Sequence, residues 1–295
     1  MINLIKKMKN MELNIKSNGL WLLLLLLVMT GCEHKKVILT PEGYDITKPD
    51  KIELGSKLDE ISGIFWVNDT VMIANNDESG KIFAINLQDR KNYEYPNIKF
   101  GPKDDYEDIV KVGDTIFVLV STGSIVKVTG YKTDSTIQAV TVATLPGKNE
   151  FESMYYDPGT HSLVMLCKTC HKEKDKIRSA YRFDLNTQTL IEEPFYRVDI
   201  DAIRTILDDS RNEFKPSAAA IHPIQQKIYM IASVGKVLVV TDKQGKVEQA
   251  IPISPTMFPQ PEGLTFAPNG DLYISNEVAT DERATILRFP FKQKQ

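Results

Sequence analysis

Residues 262–277 read EGLTFAPNGDLYISNE, and this stretch decides the fold. Two short β-prone runs, 262–267 and 271–276, flank an Asn269-Gly270 turn, a strong local signal for an antiparallel hairpin. The same phrase, an acidic or small start, an apolar run, a turn and a second apolar run, returns along the chain. It appears as EISGIFWVNDTVMIANN from Glu60, EDIVKVGDTIFVLVS from Glu107, ESMYYDPGTHSLVMLCK from Glu152 and SAAAIHPIQQKIYMIAS from Ser217. The steps between these starts are 47, 45, 65 and 45 residues. A period of that length, holding several short strands, is the signature of propeller blades with four antiparallel strands each.

In the fourth repeat the strands read 217–222, 227–232, 236–241 and 246–252. The last repeat has room for three, at 262–267, 271–276 and 284–289, so its fourth must come from elsewhere. Lys51-Ile52-Glu53-Leu54, just ahead of the first repeat, supplies it and closes the ring. The long third step holds Ile200, Ile203, Ile206 and Leu207 at helical spacing, which predicts a helix inserted near 198–211. The expected fold is all-β, a five-bladed β-propeller over 50–295, with six blades as the alternative if the insertion conceals a degenerate one.

Working outward, the 295 residues are 42% hydrophobic and 25% charged, ordinary globular composition that excludes a disordered or multi-span membrane chain. A net charge of −3 offers no basic surplus to neutralise a nucleic-acid backbone, so no nucleic-acid partner is expected. Residues 1–31 carry Lys6, Lys7, Lys9 and Lys16, then the apolar run Leu20–Met29 and Thr30-Gly31 before Cys32. Ten apolar residues are too few to cross a bilayer core of ~30 Å. The segment resembles a bacterial lipoprotein signal peptide, with Met29 where leucine is usual. That resemblance implies cleavage before Cys32, lipidation of its thiol, a tether over 32–49, and a domain anchored to the outer or inner membrane in the cell envelope. Without residues 1–31 the chain keeps 32 basic against 38 acidic groups, a net of −6.

The phrases EISGI from Glu60, DYEDI from Asp105, FESMYY from Phe151 and PEGLTFAPNGDLYISNE from Pro261 are similar to the SdiA-regulated protein family, over about 50–292. The resemblance implies an extracytoplasmic, often membrane-attached propeller, a family without an established activity. KPSAAAI in the fourth repeat and the CKTCH segment depart from its pattern. More distantly the repeat resembles gluconolactonase-like and esterase-like phytase propellers, which implies a channel metal and hydrolysis without carrying over a complete catalytic motif.

Equivalent positions in a propeller surround its axis, so Glu60, Glu107, Glu152 and Glu262 are expected at one channel mouth, with Ser217 completing the ring. Crowded carboxylates must share protons, find cationic partners or bind a cation. Ca²⁺, a hard ion with six to eight oxygen ligands, suits such a ring. Asp105 and the neutral oxygens of Asn75, Asn76, Ser121, Ser233 and Asn276 can add to it. The competing structural reading has each glutamate accept backbone N–H groups and pin blade to blade. Lys168 stands where two blades have asparagine; it either neutralises a ring carboxylate, contacts an anionic ligand, or is a solvated loop lysine. His222, before Pro223, reads as a turn residue.

Cys167-Lys-Thr-Cys170-His171 spells the attachment pattern of a c-type haem. The strand position of Cys167, the lack of a second ligand pocket and an oxidising compartment favour a Cys167–Cys170 disulfide instead. The functional expectation is a membrane-anchored binding module for a small molecule, glycan or protein, with calcium at the mouth. The alternative is a metal-dependent hydrolase of a phosphoester or lactone, and a haem electron carrier ranks last.

Overall fold

The computed structural model describes residues 39–131, 137–171, 173, 176–279 and 283–293. The expected signal segment 1–31, the expected lipidation site Cys32 and the expected tether up to residue 38 lie outside the described residues. The compact unit runs from Leu39 onward.

Five four-stranded antiparallel sheets form the blades. Blade one comprises Ile61–Trp66, Val71–Asn76, Lys81–Asn86 and Asn97–Lys99; blade two Tyr106–Val112, Thr115–Val120, Ser124–Thr129 and Gln138–Thr144. Blade three comprises Asn149–Asp157, Ser162–Cys170, Ile177–Asp184 and Thr189–Asp199; blade four Lys215–Ile221, Ile228–Val234, Val237–Thr241 and Val247–Pro252. Blade five takes Pro261–Phe266, Leu272–Asn276 and Thr285–Phe289 from the end of the chain and Asp50–Glu53 from its beginning. The first strands of successive blades touch in cyclic order, the fifth returning to the first, so the ring is closed around an axis.

The expected closing strand is present: Ile52 pairs with Ile286, and Leu54 N–H donates to Ala284 O at 2.9 Å. Both Ile52 and Leu54 are buried, and a bidentate Arg90–Asp50 pair at 2.6 and 2.7 Å reinforces the junction. The residues just before this strand, 41–46, are no loose tether. Tyr44 and Ile46 are apolar and bury into the seam between blades four and five. Tyr44 Oη donates to Gly270 O at 2.5 Å. Beside Tyr44 sits the turn residue His222, whose Nδ1 accepts the N–H groups of Ile224 and Gln225 at 3.1 and 3.0 Å.

One buried apolar cluster fills each of the five seams between neighbouring blades. Side chains alternate along a strand, so one strand feeds two seams. In the second strand of blade four, Ile228, Met230 and Ala232 face blade three while Tyr229 and Ile231 face blade five. Burial on both faces makes these strands read as continuous apolar runs, and each large aliphatic side chain so buried contributes about 1.5–3 kcal/mol.

The inserted helix is shorter than 198–211. It spans Ile200–Leu207, capped by Asp199, whose carboxylate accepts Asp201 N–H at 2.9 Å, and ended by Asp208 in the left-handed region at φ 51°. Ile200 and Ile203 bury in the seam between blades three and four. The extra length of the third step goes into this helix and into the long strands of blade three, so there is no sixth blade among the described residues.

Candidate functional site: an acidic channel mouth

Strand pairing in every blade slips by one residue near the start of the first strand. In blades two, three, four and five the unpaired residue is Glu107, Glu152, Ser217 and Glu262. A bulge of this kind re-aims a side chain. Blade one shifts between Ile61 and Ile64, and matching Ile61↔Asn76 with Pro261↔Asn276 puts Ser62, not Glu60, at the equivalent position. The step from Ser62 to Glu107 is then 45 residues, identical to that from Glu107 to Glu152 and from Ser217 to Glu262. Glu60 is therefore not the fourth member of the ring by repeat. It reaches the same mouth from two residues upstream.

The residue after each bulge sits where inner strands crowd together. It is glycine in blades one and five, and a Cβ on Gly63 would lie 2.6 Å from the Asp108 Cα, while one on Gly263 would lie 2.6 Å from Ser62 O. Blade two has Asp108 here. It is not a solvated acid: its Oδ1 accepts Ile109 N–H at 2.8 Å and its Oδ2 accepts Met154 N–H at 2.7 Å, pinning blade two to blade three.

Three residues expected at the mouth are buried and donate hydrogen bonds within the protein. Ser217 is fully buried, and its hydroxyl donates to Pro261 O at 2.5 Å, tying blade four to blade five. Asn75 is fully buried and its Nδ2 donates to Tyr106 O in blade two at 2.7 Å. Asn276 is buried against Thr285 Oγ1 at 3.3 Å and Met257 O at 3.5 Å. The donor groups of these side chains are taken up within the protein, while the Oδ1 atoms of Asn75 and Asn276 are buried with no hydrogen-bond partner among the described residues.

The residue after the second-strand partner that precedes each bulge (Asn76, Val120, Cys167, Ala232 and Asn276) forms the rest of the mouth, namely Asp77, Ser121, Lys168, Ser233 and Glu277 in blades one to five. Lys168 thus corresponds to Asp77 and Glu277 rather than to the asparagines. It is itself an extra residue on its strand, facing the Glu152 bulge, and its Nζ pairs with Glu152 and, at 2.9 Å, with Glu150. Its charge is spent on ring carboxylates, not held open for an anion. The flanking Cys167 and Cys170 are joined in a disulfide, which leaves no thiol to attach haem or ligate metal.

Sequence reading missed Asp77 and Glu277, which with Glu60 form a close acidic group: one ligand oxygen from each lies within 4.8 Å of the others. They follow Asn76 and Asn276 directly, and the repeated Asn-acid pair was the available signal.

Burial and mutual repulsion lift these acids. Burial, then Glu152, Asp105 and Glu262, push Glu107 up to about 10, and it shares a hydrogen bond with Asp105. Glu262 and Glu277 are raised by burial and by neighbouring carboxylates. Asp77 rises to about 6 through burial and the charge of Glu60. Glu152 is raised too, since burial outweighs Lys168, whereas the more exposed Glu150 is held low by the same lysine. With no cation bound, the mouth keeps several of its carboxyls protonated near neutral pH.

The chain matches no protein-family profile and no curated protein. Its fold is similar to that of Myxococcus xanthus glutaminyl cyclase, at 10% identity and TM-score 0.55, covering 83% of this chain and 95% of that one. It is also similar to the PQQ-bound aldose sugar dehydrogenase of Streptomyces coelicolor, at 10% identity and TM-score 0.52, covering 85% and 99%. Virginiamycin B lyase from Staphylococcus aureus aligns at 12% identity over 82% and 74%, with a TM-score of 0.44. At such identities the likeness shows one thing: the chain is a β-propeller.

Proposed function

We propose that this chain is an exported, lipid-anchored binding module of the SdiA-regulated kind, held to the envelope membrane through Cys32, whose acidic mouth takes up Ca²⁺. The observation that carries the calcium reading is the group of Glu60, Asp77 and Glu277, three carboxylates within 4.8 Å. No ion pair to any of the three is seen among the described residues, unlike Glu152 with its Lys168. Hard, anionic oxygen donors fit Ca²⁺, and a bound cation relieves the repulsion that raises Asp77 and Glu277. A rigid ring with an ion at its mouth can then present that ion to an anionic group of a glycan, peptide or small molecule.

Elemental analysis and calcium titration of the purified chain test this. About one calcium per chain is expected, with affinity reduced at least about tenfold in Glu277→Gln and little changed in Glu152→Gln, whose carboxylate is already neutralised. Absence of binding below about 1 mM Ca²⁺ removes the calcium reading.

Hydrolysis of a phosphoester or lactone is the second reading, and Glu107 favours it. A buried carboxyl that holds its proton at neutral pH is what a general acid requires. Two propellers of similar shape are enzymes by name. Turnover in a phosphoester and lactone screen, abolished by Glu107→Gln with the fold intact, would select it.

A further inference from the structure

The acids occupy the end of the axis where the first strands of the blades begin. At the opposite end, where those strands finish, lies a second cavity of about 410 Å³ walled by all five first strands. Its character is the reverse of the acidic mouth. Phe65, Trp66, Tyr156 and Phe266 line it, all of them half-buried and so open to an occupant. Exposed aromatic surface gathered in a concave site of this size marks a small-molecule pocket.

Its charge is one-sided. Of the charged residues lining it, Asp108 is buried with both oxygens taken by backbone N–H groups. Lys111 is half-buried, and its Nζ donates to Gly113 O at 2.6 Å from an exposed position, with two protons left for a ligand. An apolar body among aromatic rings and an anionic group at the ammonium satisfy both features.

We propose that this second channel mouth is a binding site for a planar, apolar molecule carrying one anionic group, with the rings as the platform and Lys111 as the counter-charge. The site is independent of the acidic mouth, since Asp108 and the crowded glycine positions separate the two. Occupancy can be read internally: the chain has two tryptophans, Trp21 and Trp66, so Trp21→Phe leaves Trp66 as the only tryptophan, excited selectively at the long-wavelength edge where tyrosine does not absorb.

The test titrates the full chain carrying Trp21→Phe with 8-anilinonaphthalene-1-sulfonate, and in parallel with the uncharged N-phenyl-1-naphthylamine, following energy transfer from Trp66. The anionic dye should bind saturably, about tenfold tighter than the neutral one. Lys111→Gln should abolish that preference, and Ala220→Phe, which places a ring in the cavity, should weaken both dyes at least tenfold with unchanged circular dichroism. Glu277→Gln, in the other mouth, should alter neither, which keeps the outcome separate from the calcium reading. Non-saturable binding, equal affinity for the two dyes, or indifference to Ala220→Phe would overturn the proposal.

Discussion

At the scale of single residues, the mouth is governed by how much negative charge each carboxyl can hold. A carboxyl raised above its free-chain value holds its proton more tightly folded than unfolded. Its contribution to stability is complete below the free-chain value and is lost as pH climbs through the folded one. Asp77 acts in this way between 3.8 and about 6, and Glu107 between 4.5 and about 10. Chelator-treated protein should therefore lose stability as pH rises from about 4 toward 10. Glu107→Gln, which fixes the neutral form, should add about 1–3 kcal/mol at alkaline pH and almost nothing in acid, measured by urea unfolding at both ends of the range. Lys168 sits under a different control, because the Cys167–Cys170 bond closes the strand on either side of it. Replacing both cysteines by serine should cost about 2 kcal/mol for so short a loop, and in acid titration should move Glu152 further up as the lysine drifts from it.

Among elements, strands were legible and bulges were not. The alternation and turn residues of 217–252 and 262–289 place every strand of blades four and five within two residues of its observed bounds. A bulge adds one residue to a pairing without disturbing the apolar pattern, so that pattern does not mark Ser62 as the counterpart of Glu262. Matching glutamate to glutamate selected Glu60 instead, and the odd 47-residue step was the trace of that error. The burial of Ser217, Asn75 and Asn276 was hidden for a related reason: a short polar side chain looks the same in sequence whether it faces solvent or donates to a neighbouring protein group. The closing strand was legible because three strands cannot complete a blade. Leu54, 1% exposed in the seam between blades five and one, is its anchor. Leu54→Ala should cost about 2–5 kcal/mol in thermal or urea unfolding, whereas a like change at the exposed Leu39 should cost under about 0.5 kcal/mol.

For the whole molecule, five seams of similar make share the load, and none is complete without blades on both sides. Loss of one blade exposes two seams, so partial unfolding has no cheap route. Trp66 emission, which reports blade one, and far-ultraviolet circular dichroism, which reports every blade, should give coincident urea transitions in the Trp21→Phe chain. Separate midpoints would mean that blades melt individually.

Asp50 and Arg288, paired across the closing junction, are 238 positions apart in the chain. The segment synthesised early thus waits for a partner made much later. Until residues 285–289 leave the ribosome, the nascent chain is a row of sheets with two raw ends, and closing the ring joins residues far apart in the chain. Emergence of the strand Thr285–Phe289, rather than assembly of any earlier blade, becomes the moment at which the ring can close.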